Sequence, residues 1–217
     1  MTLTELEASA RRVGLALRGA FHPGKDDAAP IGTRTLVLLG PDEPAFWRIF
    51  TSSPEYLDGA PHPLDRWSKR VVMDCAAPVG GKALFPYDGP PYPPFLRWAA
   101  RTGDSWSSPV ALLVHKSAGL FISFRAALAL PDRLDLDPPS RSPCLTCETR
   151  PCETACPVGA LAPDQAYDVP ACMAHMRSED GVACREGCMV RRACPVSQRF
   201  GRLSEQSAFH MRAFLGE

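Results

Sequence analysis

The chain has 217 residues, with 24 Lys/Arg balanced against 24 Asp/Glu, and nine cysteines. A chain of this length buries about 70% of its unfolded surface and needs neither disulfides nor metal merely to fold, so the cysteines require a chemical explanation. After residue 140 lie nine basic and nine acidic residues; neither half is a basic body, which excludes the electrostatic footprint of a nucleic-acid binder.

The N-terminal MTLTELEASARR has no apolar run and reads as an amphipathic helix, not a leader. Leu3, Leu6, Ala10, Val13 and Leu17 recur at helical spacing, predicting a helix over residues 3–19. The apolar run Thr35–Gly40 predicts a buried strand. Residues 44–51 and 63–76 read as helices, the second with Leu64, Trp67, Val71 and Cys75 on one face. Ala83–Phe85 is a weak strand, Pro86–Pro94 a rigid proline-rich loop, and Pro94 opens a helix beginning at Phe95. Val110–His115 and Leu120–Ala126 read as two strands around a Lys116–Gly119 turn. Nowhere do 18 apolar residues run together, so no membrane span is expected.

There are 23 prolines, about twice the usual share of ~5%. Those from Pro131 to Pro143 mark a boundary, dividing an α/β domain over 1–140 from a Cys-rich domain over 141–217. The fold class expected is α+β.

Eight cysteines fall in that tail. They read Cys144-x2-Cys147-x4-Cys152-x3-Cys156-Pro157, then Cys172, then Cys184-x3-Cys188-x5-Cys194-Pro195. Bacterial two-cluster ferredoxins use C-x2-C-x2-C-x3-C-P twice, the fourth cysteine of each run ligating the other cluster. Close cysteines on a turn reach corners of one cubane, and proline after the last turns the chain away. By this logic Cys144, Cys147, Cys152 and Cys194 serve one 4Fe–4S cluster. Cys156, Cys172, Cys184 and Cys188 serve a second. Two structural zinc sites fit the same count of eight; the two Cys-Pro endings favour iron–sulfur. A reducing cytoplasm is the expected compartment, where paired cysteines bind metal more often than they form disulfides. Cys75, on an apolar helix face, reads as a buried, inert thiol.

In the tail, Asp168 and Pro170 are a start signal for the helix carrying Cys172, and Ser204 is a candidate cap for a last helix striped by Ala208, Met211, Phe214 and Leu215. Arg191 and Arg192, between two expected ligands, either tune a cluster or face solvent. The five histidines have no metal spacing among them, and no Walker loop, dinucleotide fingerprint or Gly-x-Ser-x-Gly elbow is present.

The tail, through Cys144–Leu161 with its Cys-Pro-Val-Gly-Ala-Leu ending, the lone helical Cys172 and the closing Cys194-Pro195, resembles the double-cluster module of epoxyqueuosine reductases. Upstream, Tyr87–Gly103, Pro109–His115 and Gly119–Phe124 are similar to that family's acidic-residue loop, helix, glycine turn and next two strands. The resemblance implies a nitroreductase-like α/β layer holding cobalamin, followed by a small helical ferredoxin-like domain whose two clusters feed electrons to cobalt. It also implies that Asp88 is a proton donor; Asp88-Gly89-Pro90 is equally ordinary turn chemistry. The family's Gly-Lys-Asn is replaced by Ser107-Ser108-Pro109, and the sequence ends at Glu217 without the family's helical-repeat domain that helps hold tRNA.

Three functions follow as expectations. The first is an electron-transfer protein with two 4Fe–4S clusters and a redox partner protein. The second is a cobalamin-dependent reductase with Asp88 as general acid. The third is an interaction protein whose clusters are structural.

Overall fold

A computed structural model describes residues 2–217. In chain order its main elements begin α1 (Leu3–Arg12), β1 (Leu15–Phe21), β2 (Thr35–Pro41), α2 (Ala45–Thr51), α3 (Pro54–Leu57) and α4 (Pro63–Ala76). Next come β3 (Lys82–Leu84), α5 (Phe95–Arg101), β4 (Ser105–Ser107), β5 (Leu113–His115) and β6 (Ala126–Leu130). The tail is helical, with α6 (Val169–Arg177), α7 (Val182–Arg185), α8 (Met189–Ala193), α9 (Pro195–Gln198) and α10 (Ser204–Leu215). No helix among the described residues is long and apolar enough to cross a membrane.

The chain divides into two compact units. The first comprises the described residues up to Ser105 together with Ser123–Ser140, and the second comprises Trp106–Ile122 and Arg141–Glu217. A single cut at residue 140 does not foresee this, because the stretch 106–122 belongs with the tail.

The first unit is built on a four-stranded sheet of order β1-β2-β6-β3, antiparallel throughout. With helices beside it, this is α+β. Strands β2 and β6 are buried at every residue, and a strand covered on both faces reads as a continuous apolar run. Phe46 and Phe50 of α2 meet Trp67 of α4 at ring centroids of 5.4 and 5.8 Å, all three fully buried. On α5, Trp98 is buried and its Nε1–H donates to the Asp27 carbonyl at 2.7 Å, so the indole leaves no unpaired donor inside.

Three expected elements are corrected. The helix predicted over 3–19 ends at Arg12. Thr2 and Glu5 form a reciprocal capping box at its start, but Gly14 takes φ +78°, and a Cβ there would meet Phe46 Cα at 3.1 Å. The chain therefore turns sharply at the one residue that tolerates it, and Leu15–Phe21 pairs with β2 instead. The strand predicted over Leu120–Ala126 is Ala126–Leu130. Leu120 N–H is spent on Ser197 Oγ (2.8 Å), and pairing with β2 begins where Arg125 N–H donates to the Leu39 carbonyl (2.8 Å). The strand at Val110–His115 shrinks to Leu113–His115, because Ser108 and Leu112 close a turn around Ala111 at φ +57°.

Between α3 and α4, Arg70 grips Glu55 with two bonds of 2.5 and 2.9 Å, and Arg66 grips Asp58 with two of 2.7 Å. These bonds hold both carboxyls down at about 2. A carboxylate whose folded value lies below its ordinary one stabilises the fold above that ordinary value, 4.5 for Glu55, and loses the contribution as pH falls toward 2. Thermal melting of Glu55→Gln is expected to show a shallower loss of stability than the wild type between pH 4.5 and 2; identical slopes would remove the pairing as a cause.

Candidate functional site

All nine cysteines are free thiols. The eight of the tail lie in the second unit on short turns and helices, each set by local chemistry. Ser142 Oγ accepts from Cys144 N–H (3.4 Å), and Pro143 starts a 3-10 turn over Pro143–Thr146. Arg150 then takes φ +38°, and a second 3-10 turn, Pro151–Glu153, carries Cys152. Within the lengthened Cys147–Cys152 spacing, Arg150 thus supplies a left-handed kink just before that turn. Asp168 caps α6, its Oδ1 accepting from Ala171 N–H at 2.9 Å, and this helix holds Cys172. Cys184 sits on α7, and Cys188 immediately precedes α8. Cys194 adopts extended backbone between α8 and α9, where Pro195 restarts the helix in a new direction.

The thiols gather in two fours. Burial raises the Cys144 thiol, and Cys194 and Cys147 raise it further. Burial pushes Cys152 up to about 11, helped by Cys194 and Cys144. Cys172 is raised by burial, then by Cys188 and Cys156. Cys184 is raised by burial, then by Cys188, Cys172 and Cys156. Cys144, Cys147, Cys152 and Cys194 are therefore electrostatic neighbours, as are Cys156, Cys172, Cys184 and Cys188. Among the described residues, no three or more His, Cys, Asp or Glu side chains close on a single metal ion. A lone zinc, with sulfurs at about 2.3 Å, would draw any two of them to about 3.8 Å.

The surroundings of the two groups differ. All four thiols of the first group line a cavity of about 330 Å³, together with Ser108, Arg150 and Arg199. Cys152 and Cys194 also join an apolar cluster with Val110, Val114, Leu120, Leu161 and Val190. In the second group Cys184 packs with Met176 and Leu215, flanked by Cys172, Met173, Met189 and Met211, while Cys156 and Cys188 pack against the same apolar cluster as Cys152 and Cys194. Tyr167 hydrogen-bonds Cys172 through its hydroxyl, and burial pushes the phenol far above its ordinary value. Of the two arginines flagged by the sequence, half-buried Arg191 lies near Cys188 and Tyr167 and donates to the Leu120 carbonyl. Arg192 is exposed and donates to the Ala183 carbonyl at 3.2 Å.

The remaining candidates fall elsewhere. Asp88 is exposed in the first unit, and its carboxylate accepts from Phe85 N–H at 3.2 Å, the bond of a turn aspartate. Cys75 is 7% exposed on α4, its thiol raised chiefly by burial, as a core cysteine is. His115 Nδ1 accepts from Ser117 and Ala118 amides at 3.2 Å, and His22 bonds the Leu134 carbonyl. Ser204 does not cap α10; the residue before it, Leu203, occupies that place with no side-chain bond. The expected stripe on α10 is only partly core, since Gln206, Ser207 and Leu215 are its buried residues and Phe214 stacks on Tyr167 with centroids 6.4 Å apart. Sequence reasoning missed Tyr167 and Ser108. Tyr167 stands one residue before the Asp168 cap and could have been flagged by that position; Ser108 carries no local signal. In comparison with known proteins, no family model matches the chain and no curated protein matches it.

Gly119 locks the stretch 106–122 onto the tail. It takes φ +56°, and a Cβ there would lie 2.5 Å from Ser197 N and 2.6 Å from its Oγ, the atom that accepts from Leu120. Gly159 has a similar φ of +63° with nothing within 4 Å of a Cβ. Gly119→Ala is expected to cost the strain of about 1–3 kcal/mol and the clash besides, and Gly159→Ala only the strain. Urea unfolding of the two variants checks the order; equal losses would show that Ser197 yields freely.

Proposed function

We propose that the second unit holds two 4Fe–4S clusters, one on each four-cysteine group, and that the protein is a ferredoxin-like electron carrier. The observation that supports this best is the gathering of free thiols from separated stretches of chain into apolar surroundings. The donor set fits: iron–sulfur clusters are held by four cysteine thiolates each. Bound there, such a cluster supplies a one-electron site. The residues around it do the rest. Cys144, Cys147, Cys152 and Cys194 would hold the first, and Cys156, Cys172, Cys184 and Cys188 the second. The apolar side chains keep water back, and Tyr167 and Arg191 offer a donor and a positive charge beside the second group, both of which favour an added electron. A redox partner protein in a reducing cytoplasm completes this reading.

The enzyme alternative makes the first unit a nitroreductase-like layer that holds cobalamin, with Asp88 as acid. It has less on its side. The Asp88 carboxylate already serves its own turn, and the sheet supplies no comparable gathering of chemical groups.

Anaerobic reconstitution with iron and sulfide, followed by metal analysis, tests the proposal. About eight irons and about eight sulfides per chain are expected, with reversible reduction seen by electron paramagnetic resonance. Cys147→Ser is expected to weaken or remove one cluster and keep the other, and Cys75→Ala to change neither. Two zinc ions without sulfide would replace this reading with a structural one. A changed cobalt spectrum on adding cobalamin would promote the reductase.

A further inference from the structure

The first four-cysteine group has a polar neighbour whose hydrogen bond is missing. Ser108 is 7% exposed. Its amide donates to the Leu112 carbonyl at 2.8 Å, and its carbonyl accepts from Ala111 N–H at 3.0 Å, so its backbone is fixed by the turn. Its Oγ is shielded from solvent and has no hydrogen-bond partner. The same residue forms part of the wall of the cavity lined by Cys144, Cys147, Cys152 and Cys194. A buried hydroxyl without a partner destabilises a fold, and one kept at a cavity wall calls for a ligand that accepts.

Resting on the two-cluster reading, we infer that the Ser108 hydroxyl donates a hydrogen bond to a sulfur of the first cluster and raises that cluster's reduction potential. The chemistry is direct. Reduction adds negative charge that resides largely on the sulfurs, so a fixed donor binds the reduced form more strongly than the oxidised form. Hydrogen bonds to the sulfurs are one of the terms that set such potentials. The donor is held by the turn at Ala111 and is part of the second unit, so it needs no movement to act. At the second group the neighbouring hydroxyl is that of Tyr167, beside Cys172.

The test is a redox titration, followed by electron paramagnetic resonance, of the reconstituted wild type, Ser108→Ala and Ser108→Thr. The midpoint belonging to the first site is the one that Cys147→Ser removes. In Ser108→Ala that midpoint is expected to fall, with the reduction equilibrium shifting roughly tenfold, or about 59 mV for a one-electron couple. The second midpoint stays in place. Ser108→Thr, which keeps the hydroxyl, restores the value. Thermal melting of the cluster-free proteins adds a readout independent of the metal: Ser108→Ala should melt no lower than the wild type, because it deletes an unpaired hydroxyl. If Ser108→Ala carries both clusters at unchanged midpoints, Ser108 is not a donor and the inference falls while the two-cluster reading stands. A wild type that takes up no iron and sulfide overturns both.

Discussion

Burying thiols is the constraint on which the second unit depends. Packed among Val110, Val114, Leu120 and the methionines of the tail, Cys144, Cys152, Cys172 and Cys184 are driven toward the neutral form, Cys152 up to about 11. An apolar enclosure does not tolerate several bare thiolates side by side, since each raises the next. A cationic centre that takes the sulfurs as ligands reverses that balance and expels their protons. On the proposed reading, the same burial that makes these thiols poor acids alone makes them a receptacle for a metal cluster. Everything else in the unit, from the 3-10 turns to the Gly119 contact, fixes where those sulfurs stand.

The two groups are not equivalent. The first opens into a cavity edged by Arg150 and Arg199 with Ser108 in its wall; in the second, Cys172 and Cys184 pack with methionines, and Tyr167 and Arg191 stand close by. Potential depends on charge, hydrogen bonds to sulfur and solvent exposure. On the proposed reading, two chemically identical centres a short way apart along one chain would therefore hold electrons at different levels, which gives transfer between them a direction.

Much of this was legible in the residues, and the exceptions have physical causes. That eight cysteines crowd into the second unit was plain from the sequence. Helix α4 and the Asp168 cap were equally plain, since apolar periodicity and a side-chain oxygen before a helix act locally. The failures came where distant contacts decide. Leu15 and Leu17 continue the rhythm of α1, yet Gly14 and the open edge of β2 claim them for the sheet. Leu120 looks like a strand residue, but Ser197, 77 positions away, takes its amide. Ser108 and the transfer of 106–122 into the tail's unit leave no trace in composition or period. The mixed α+β class was readable; the allegiance of that one stretch was not.

One consequence lies in the order of the ligands along the chain. Cys156, Cys172, Cys184 and Cys188 all fall between Cys152 and Cys194, so the second group is nested within the span of the first. As a ribosome delivers the chain, the inner set is complete before its outer counterpart, which waits for a single late residue. Any cut inside the span dismantles the outer set, and no fragment can carry the outer set without the inner one. On the proposed reading, trimming from either end sheds the outer centre and spares the inner one, whereas losing the inner centre alone takes a substitution or an internal deletion.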